Sequence, residues 1–131
     1  MAIDLTNIPS GSSWAYEAVV FGEPASKANS RKIVRFGKRL ASIKSDKARR
    51  YVDTFRSQAH TIDPLLTGDL LVYIKIYYAT RRPDLDESLI LDLLQGHAYK
   101  NDRQVKTKII LHGLDRDNPR SEIKINEIDV A

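Results

Sequence analysis

Leu70-Leu71-Val72-Tyr73-Ile74-Lys75-Ile76-Tyr77-Tyr78 is the stretch from which the rest of the chain can be ordered. Its β-branched, aromatic and aliphatic residues, interrupted only by Lys75, have the composition of a β-strand. The apolar run is nearly continuous, which predicts a strand at the centre of a sheet. Pro64 and Gly68 break the chain before it. Upstream, Ala48, Tyr51, Val52, Phe55 and Ala59 recur at helical spacing and form one apolar stripe, with Ser45 or Asp46 as the N-cap. Further back, Ala25 to Lys44 is polar and basic, with apolar islands at Ile33-Val34 and Leu40 to Ile43. The turn Phe36-Gly37-Lys38 between them predicts a hairpin. Trp14 to Phe21 reads as a first strand ended by Gly22 and Pro24, and residues 1–13 read as a loose leader to a domain over 14–131. Downstream, Ser88 to Gln95 is a short apolar helix closed by Gly96. Val105 to His112 is a further strand, and Ser121 to Val130 alternates as an edge strand does.

The composition limits the functions available. A chain of 131 residues, 42% hydrophobic and 29% charged, is an ordinary globular domain rather than a disordered one. No apolar run approaches the roughly 20 residues of a membrane span, and no membrane association is expected. The absence of cysteine excludes disulfides, zinc–thiolate sites and a cysteine nucleophile. Together with an N-terminus that lacks signal-peptide features, it favours a cytoplasmic location. The net charge of +4 is modest but unevenly spread. Between Lys27 and Arg50 there are ten cations, among them Lys27, Arg31 and Lys32, and a single acid, Asp46. Such a segment suits a polyanionic partner.

Acids concentrate after the central strand, in Arg81-Arg82-Pro83-Asp84-Leu85-Asp86-Glu87 and in Lys100-Asn101-Asp102-Arg103-Gln104-Val105. Pro83 biases Arg82 toward extended backbone. In extended chain, residues i and i+2 point the same way, so Asp84 and Asp86 can converge while Leu85 turns into the core. Converging carboxylates suit a hard cation, Mg²⁺ first, and magnesium beside arginine is a common arrangement for phosphodiester chemistry. Asp86 is equally well placed to cap the helix that follows. His60, His97 and His112 lack metal-ligand spacing, and the six glycines are isolated and form no phosphate loop. Tyr73, Tyr77 and Tyr78 read as core and dimer-face residues rather than base-stacking platforms.

Arg82-Pro83-Asp84-Leu85-Asp86, Leu91-Asp92-Leu93-Leu94, Gly96, Tyr99 and Asn101-Asp102-Arg103-Gln104-Val105 together resemble the RusA family of Holliday-junction resolvases. Gly22-x-Pro24-x-x-Lys27 with Arg31 is similar to that family's basic loop. The likeness runs from about Tyr16 to Ile128. It implies an α+β fold, which we expect as a single two-layer domain with a mixed sheet and helices packed on one face. It also implies a homodimeric, Mg²⁺-dependent endonuclease (Mn²⁺ as a possible substitute) that cuts four-way DNA junctions by paired nicks in recombination and repair. Such an enzyme would work at the nucleoid of a bacterial or phage-infected cell.

By position, Asp84, Asp86 and Asp102 become the metal-binding catalytic acids, with Glu87 and Asp92 as additional acids. Lys27, Arg31, Lys32, Arg81, Arg82, Lys100 and Arg103 become the DNA-binding cations. The chain departs from the family pattern in carrying Glu87 and Asn101 at positions usually held by asparagine and aspartate. The interval between the two motifs is also about two residues shorter. Ile90 stands where the family's helix normally has lysine, and Lys100, Arg103 or Lys106 could replace that charge. The departure leaves a second expectation open: a weakened or inactive protein of the same fold that binds branched DNA. A third is an interaction or RNA-binding module whose acids are surface charge.

Overall fold

The computed structural model describes residues 14–25, 31–81 and 86–129. The strands are β1 (Tyr16–Phe21), β2 (Arg31–Phe36), β3 (Arg39–Lys44), β4 (Leu70–Tyr78), β5 (Val105–Leu114) and β6 (Arg120–Glu127). The helices are α1 (Asp46–Gln58) and α2 (Ser88–Leu94), and a 3₁₀ turn at Asp102–Gln104 leads into β5. Four strands form one sheet in the order β1-β6-β4-β5, and β2 with β3 forms a separate two-stranded sheet. β4 is interior, as its apolar run predicts. It pairs parallel with β5 and antiparallel with β6, so the sheet is mixed. A parallel pair needs a crossover connection, and α2 lies within it.

β6 is also interior, between β1 and β4, where its alternation predicts an edge. Alternation reports how many faces of a strand are covered, not how many neighbours it has. Here one face is covered. Register sets Val72 opposite Ile125, Ile74 opposite Ile123 and Ile76 opposite Ser121. On the far side of β6, Tyr16, Ala18 and Val20 oppose the same three residues. Directly opposed residues share a face, and this face packs with Tyr51 and Phe55 of α1 and Ile90 and Leu94 of α2 into a single core. The opposite face carries Tyr73, Lys75 and Tyr77 from β4 and Arg120, Glu122 and Lys124 from β6, all partly exposed. There the Arg120 guanidinium carbon sits 3.9 Å from the Tyr77 ring centroid and Lys75 Nζ 4.9 Å from it. Gly113 is opposite Tyr77, and a Cβ there would fall 2.5 Å from the tyrosine Cδ1, so the ring's position requires glycine.

α1 begins where Ser45 accepts a hydrogen bond from the Ala48 amide at 3.2 Å, the side-chain cap read from sequence. Its buried stripe is Ala48, Tyr51, Val52 and Phe55. Gln58 Oε1 accepts from the Phe21 amide at 2.8 Å and ties the end of the helix to edge strand β1. The β2–β3 hairpin closes through Gly37, whose φ of +62° is the positive value a tight hairpin loop demands of its first central residue. In β5, Leu70 opposes Val105 but Leu71 opposes Thr107, so Lys106 is an extra residue in the ladder.

Candidate active site

The two acidic segments lie at either end of the α2 crossover. In the second, Asn101 accepts from the Arg103 amide at 2.9 Å and opens the 3₁₀ turn that carries Asp102. Gln104 uses both ends of its amide. Its oxygen accepts from the Lys100 and Asn101 amides at 3.1 and 3.0 Å, and its nitrogen donates to the Leu66 and Gly68 carbonyls at 2.8 and 3.0 Å. The network fixes the amide's orientation, since the reverse would set donor against donor. Gln95, just past α2, accepts the Asp102 amide at 3.1 Å. The Asp102 backbone is thus held on several sides while its side chain is exposed.

Of the first segment, Arg81, Asp86 and Glu87 are described. Asp84, Arg82 and Lys27 lie outside the described residues, so the expected convergence of Asp84 with Asp86 does too. Asp86 is half-buried and its Oδ1 accepts from the Ser88 amide at 2.9 Å. It therefore serves the first turn of α2 from the position before the N-cap, Glu87, whose own side chain makes no capping bond. Glu87, 19% exposed at its side chain, pairs with Lys108 of β5 at 2.8 Å. Asp92 is exposed in the last turn of α2. Asp92 and Asp102 both act on the Tyr99 phenol, which burial first and these two carboxylates second push well above its ordinary pKa. The Tyr99 hydroxyl donates to the Leu91 carbonyl at 2.7 Å. Among the described residues, no three acidic or histidine side chains are gathered for a metal.

The predicted cations fall into groups. Lys100 and Arg103 are exposed beside Asp102, and Arg81 is exposed just after β4. Lys32 lies on the hairpin, where it pairs with Asp46 at 3.1 Å, and Arg31 belongs to the same strand. The sequence offers Lys100, Arg103 or Lys106 for the cation missing from α2. Among the described residues, Lys108 meets the first acidic segment at Glu87. The acid at position 87 was a signal that a cation stands nearby, but choosing Lys108 requires the parallel pairing and the extra residue in β5. Gln95 was not foreseen, since nothing local marks its bond to Asp102. The histidines pack rather than cluster: His60 stacks on Tyr16 with ring centroids 4.5 Å apart, and His112 meets Tyr78 edge-on at 4.9 Å.

These features define a small α+β domain that sets oxygen-donor acids at the ends of a crossover helix and carries a separate cationic hairpin. The family model described as Endodeoxyribonuclease RusA matches residues 22–126, most of the chain, and the chain belongs to that family. Membership implies an endodeoxyribonuclease that resolves Holliday junctions. No curated protein matches the chain.

Proposed function

We propose that the protein is a divalent-metal-dependent endonuclease that nicks four-way DNA junctions in symmetric pairs, working as a homodimer. The observation that carries this reading is the family match over residues 22–126, which encloses both acidic segments and the crossover helix between them. Asp84, Asp86 and Asp102 are the acids proposed to hold the metal, with Glu87 and Asp92 flanking them. Carboxylate oxygens are the hard donors that Mg²⁺ or Mn²⁺ takes, and the chain has no thiol to favour a softer ion. A divalent ion bound there would polarise the scissile phosphate and acidify a water for attack. Lys32, Arg81, Lys100 and Arg103, with Lys27, Arg31 and Arg82, would contact phosphates, which position the junction without reading its sequence. Two nicks related by symmetry need two sites related by a two-fold axis, which is the argument for a homodimer. The substrate also favours a cytoplasmic, nucleoid-associated location in a bacterial or phage-infected cell.

A second reading keeps the fold and junction binding but loses turnover. It is favoured by the absence of lysine or arginine between Arg82 and Lys100, and by the Lys108 ammonium being held on Glu87. The deciding experiment incubates a labelled synthetic four-way junction with the protein and Mg²⁺, beside Asp86→Asn. Paired nicks that vanish in the variant support the enzyme. Salt-sensitive junction binding with no product at any Mg²⁺ or Mn²⁺ concentration supports the second reading. Equal cleavage by both proteins removes Asp86 from the site.

A further inference from the structure

The β2–β3 hairpin is where the molecule departs furthest from the usual partition of apolar and charged side chains. Ile33, Phe36 and Leu40 are 74%, 62% and 67% exposed, more than any other large apolar residue among those described. They are not scattered singly, as exposed apolar residues commonly are, but share one two-stranded ribbon. Cations stand among them. Arg35 is paired across the ribbon with Leu40, and Phe36 with Arg39, while Lys38 occupies the loop. No acid occurs from Arg31 to Ser45. Residues 35–40 are all exposed, so the tip projects into solvent with an aromatic ring and three cations.

A ribbon of this kind calls for a partner that is anionic at its rim and apolar inside. A second copy of the same hairpin would bring cation against cation. Duplex DNA offers phosphates outside and stacked bases within, and proteins that part base steps do so with side chains such as Phe, Ile and Leu flanked by cations. The stack is already interrupted at a branch point, so the unstacking cost is smallest there.

We propose that the β2–β3 hairpin is a DNA wedge. Phe36 enters the base stack at the junction's branch point, Ile33 and Leu40 on the other face of the ribbon contact the sugars and bases that the wedge parts from it, and Arg35, Lys38 and Arg39 hold the flanking phosphates. The proposal rests on the junction-binding reading above and adds to it the element that opens the junction.

The test places 2-aminopurine beside the branch point of a synthetic four-way junction and follows its fluorescence on adding protein without divalent metal, so that no strand is cut. Junction binding is measured in parallel by mobility shift over a range of salt. The expected result is a fluorescence rise with the native protein and loss of most of that rise with Phe36→Ser, which still binds with the same salt dependence. Arg39→Gln should instead weaken binding and make its salt dependence shallower. Phe36 lies outside the core, so an unchanged melting temperature is expected for the serine variant. An undiminished rise with Phe36→Ser overturns the wedge, and so does a change in oligomeric state by light scattering, which would make Phe36 a self-association contact. Native protein that binds the junction with no fluorescence rise overturns the wedge and leaves junction binding standing. Native protein that does not bind the junction overturns the functional reading beneath both.

Discussion

The two acidic segments that flank α2 are held in different ways. Asp102 sits on a turn whose backbone is fixed by two glutamines, Gln95 outside the turn and Gln104 at its end, the second of which reaches Leu66 and Gly68 more than thirty residues away. Asp86 fixes its own surroundings by accepting the Ser88 amide, and its neighbour Glu87 is anchored to β5 through Lys108. One acid is carried by a scaffold, whereas the other is part of its scaffold. Substitutions that spare the backbone should therefore separate chemistry from structure at Asp102 more cleanly than at Asp86.

The largest expected effect is on cleavage. Asp102→Asn and Asp86→Asn should each lower the nicking rate by about a hundredfold or more, in the range of a lost catalytic acid or base. An asparagine at 86 keeps an oxygen for the Ser88 amide, so its melting temperature should stay near that of the native protein. Asp86→Ala should lower it, by about 1 kcal/mol of stability for a lost cap. Equal melting temperatures for the alanine and asparagine variants would remove the cap from the account.

Next comes Gln104→Ala, which leaves two amides and two carbonyls to find water or go unpaired. A loss of about 2 kcal/mol is expected by urea denaturation, given part-buried groups. Gln104→Glu should be no better, because a carboxylate cannot donate to Leu66 and Gly68. A glutamate variant as stable as the native protein would show that the two carbonyl bonds contribute little.

Lys108→Met should change stability by less than about 1 kcal/mol, since its side chain is 47% exposed and screened by solvent. Its effect on nicking is the sharper measurement. A fall in rate at unchanged stability makes Lys108 part of the site rather than a strut for Glu87.

The smallest effect is a control remote from both segments. The Arg120 guanidinium, first among the causes, holds the Asp115 carboxyl below the usual carboxylate range. A folded-state pKa below the unfolded value of about 3.9 means that the pair stabilises above that pH and loses its effect as pH falls through the folded value. The melting-temperature gap between native protein and Asp115→Asn should therefore be full at neutral pH and close in acid. A gap independent of pH would show that the ion pair is not its source.

What was legible in the sequence was what is local. The Ser45 cap, the α1 stripe, the Gly37 hairpin and the apolar β4 run each declare themselves within a dozen residues, and the structure has all of them. The interior place of β6 is not legible because its alternation reflects the open sheet face, and pairing partners leave no local trace. The site acids are read from motif and charge alone. Gln104 stands out in the sequence only as part of a motif, because the carbonyls that give it purpose lie far off in the chain. Lys108 has no local mark for the same reason, its partner Glu87 lying 21 residues away.

The extra residue in β5 has a further meaning. Side chains along a strand alternate with period two, so an inserted residue reverses the parity of everything after it. With Lys106 counted in, Lys108, Ile110 and His112 fall opposite Val72, Ile74 and Ile76 on the helix-bearing side. Were the ladder unbroken, those three would turn to the open face, and Glu87 would lose a partner 21 residues away in sequence. The wiring between an acid and its counter-ion is here stored as odd or even, and the single exposed residue Lys106 is what sets it.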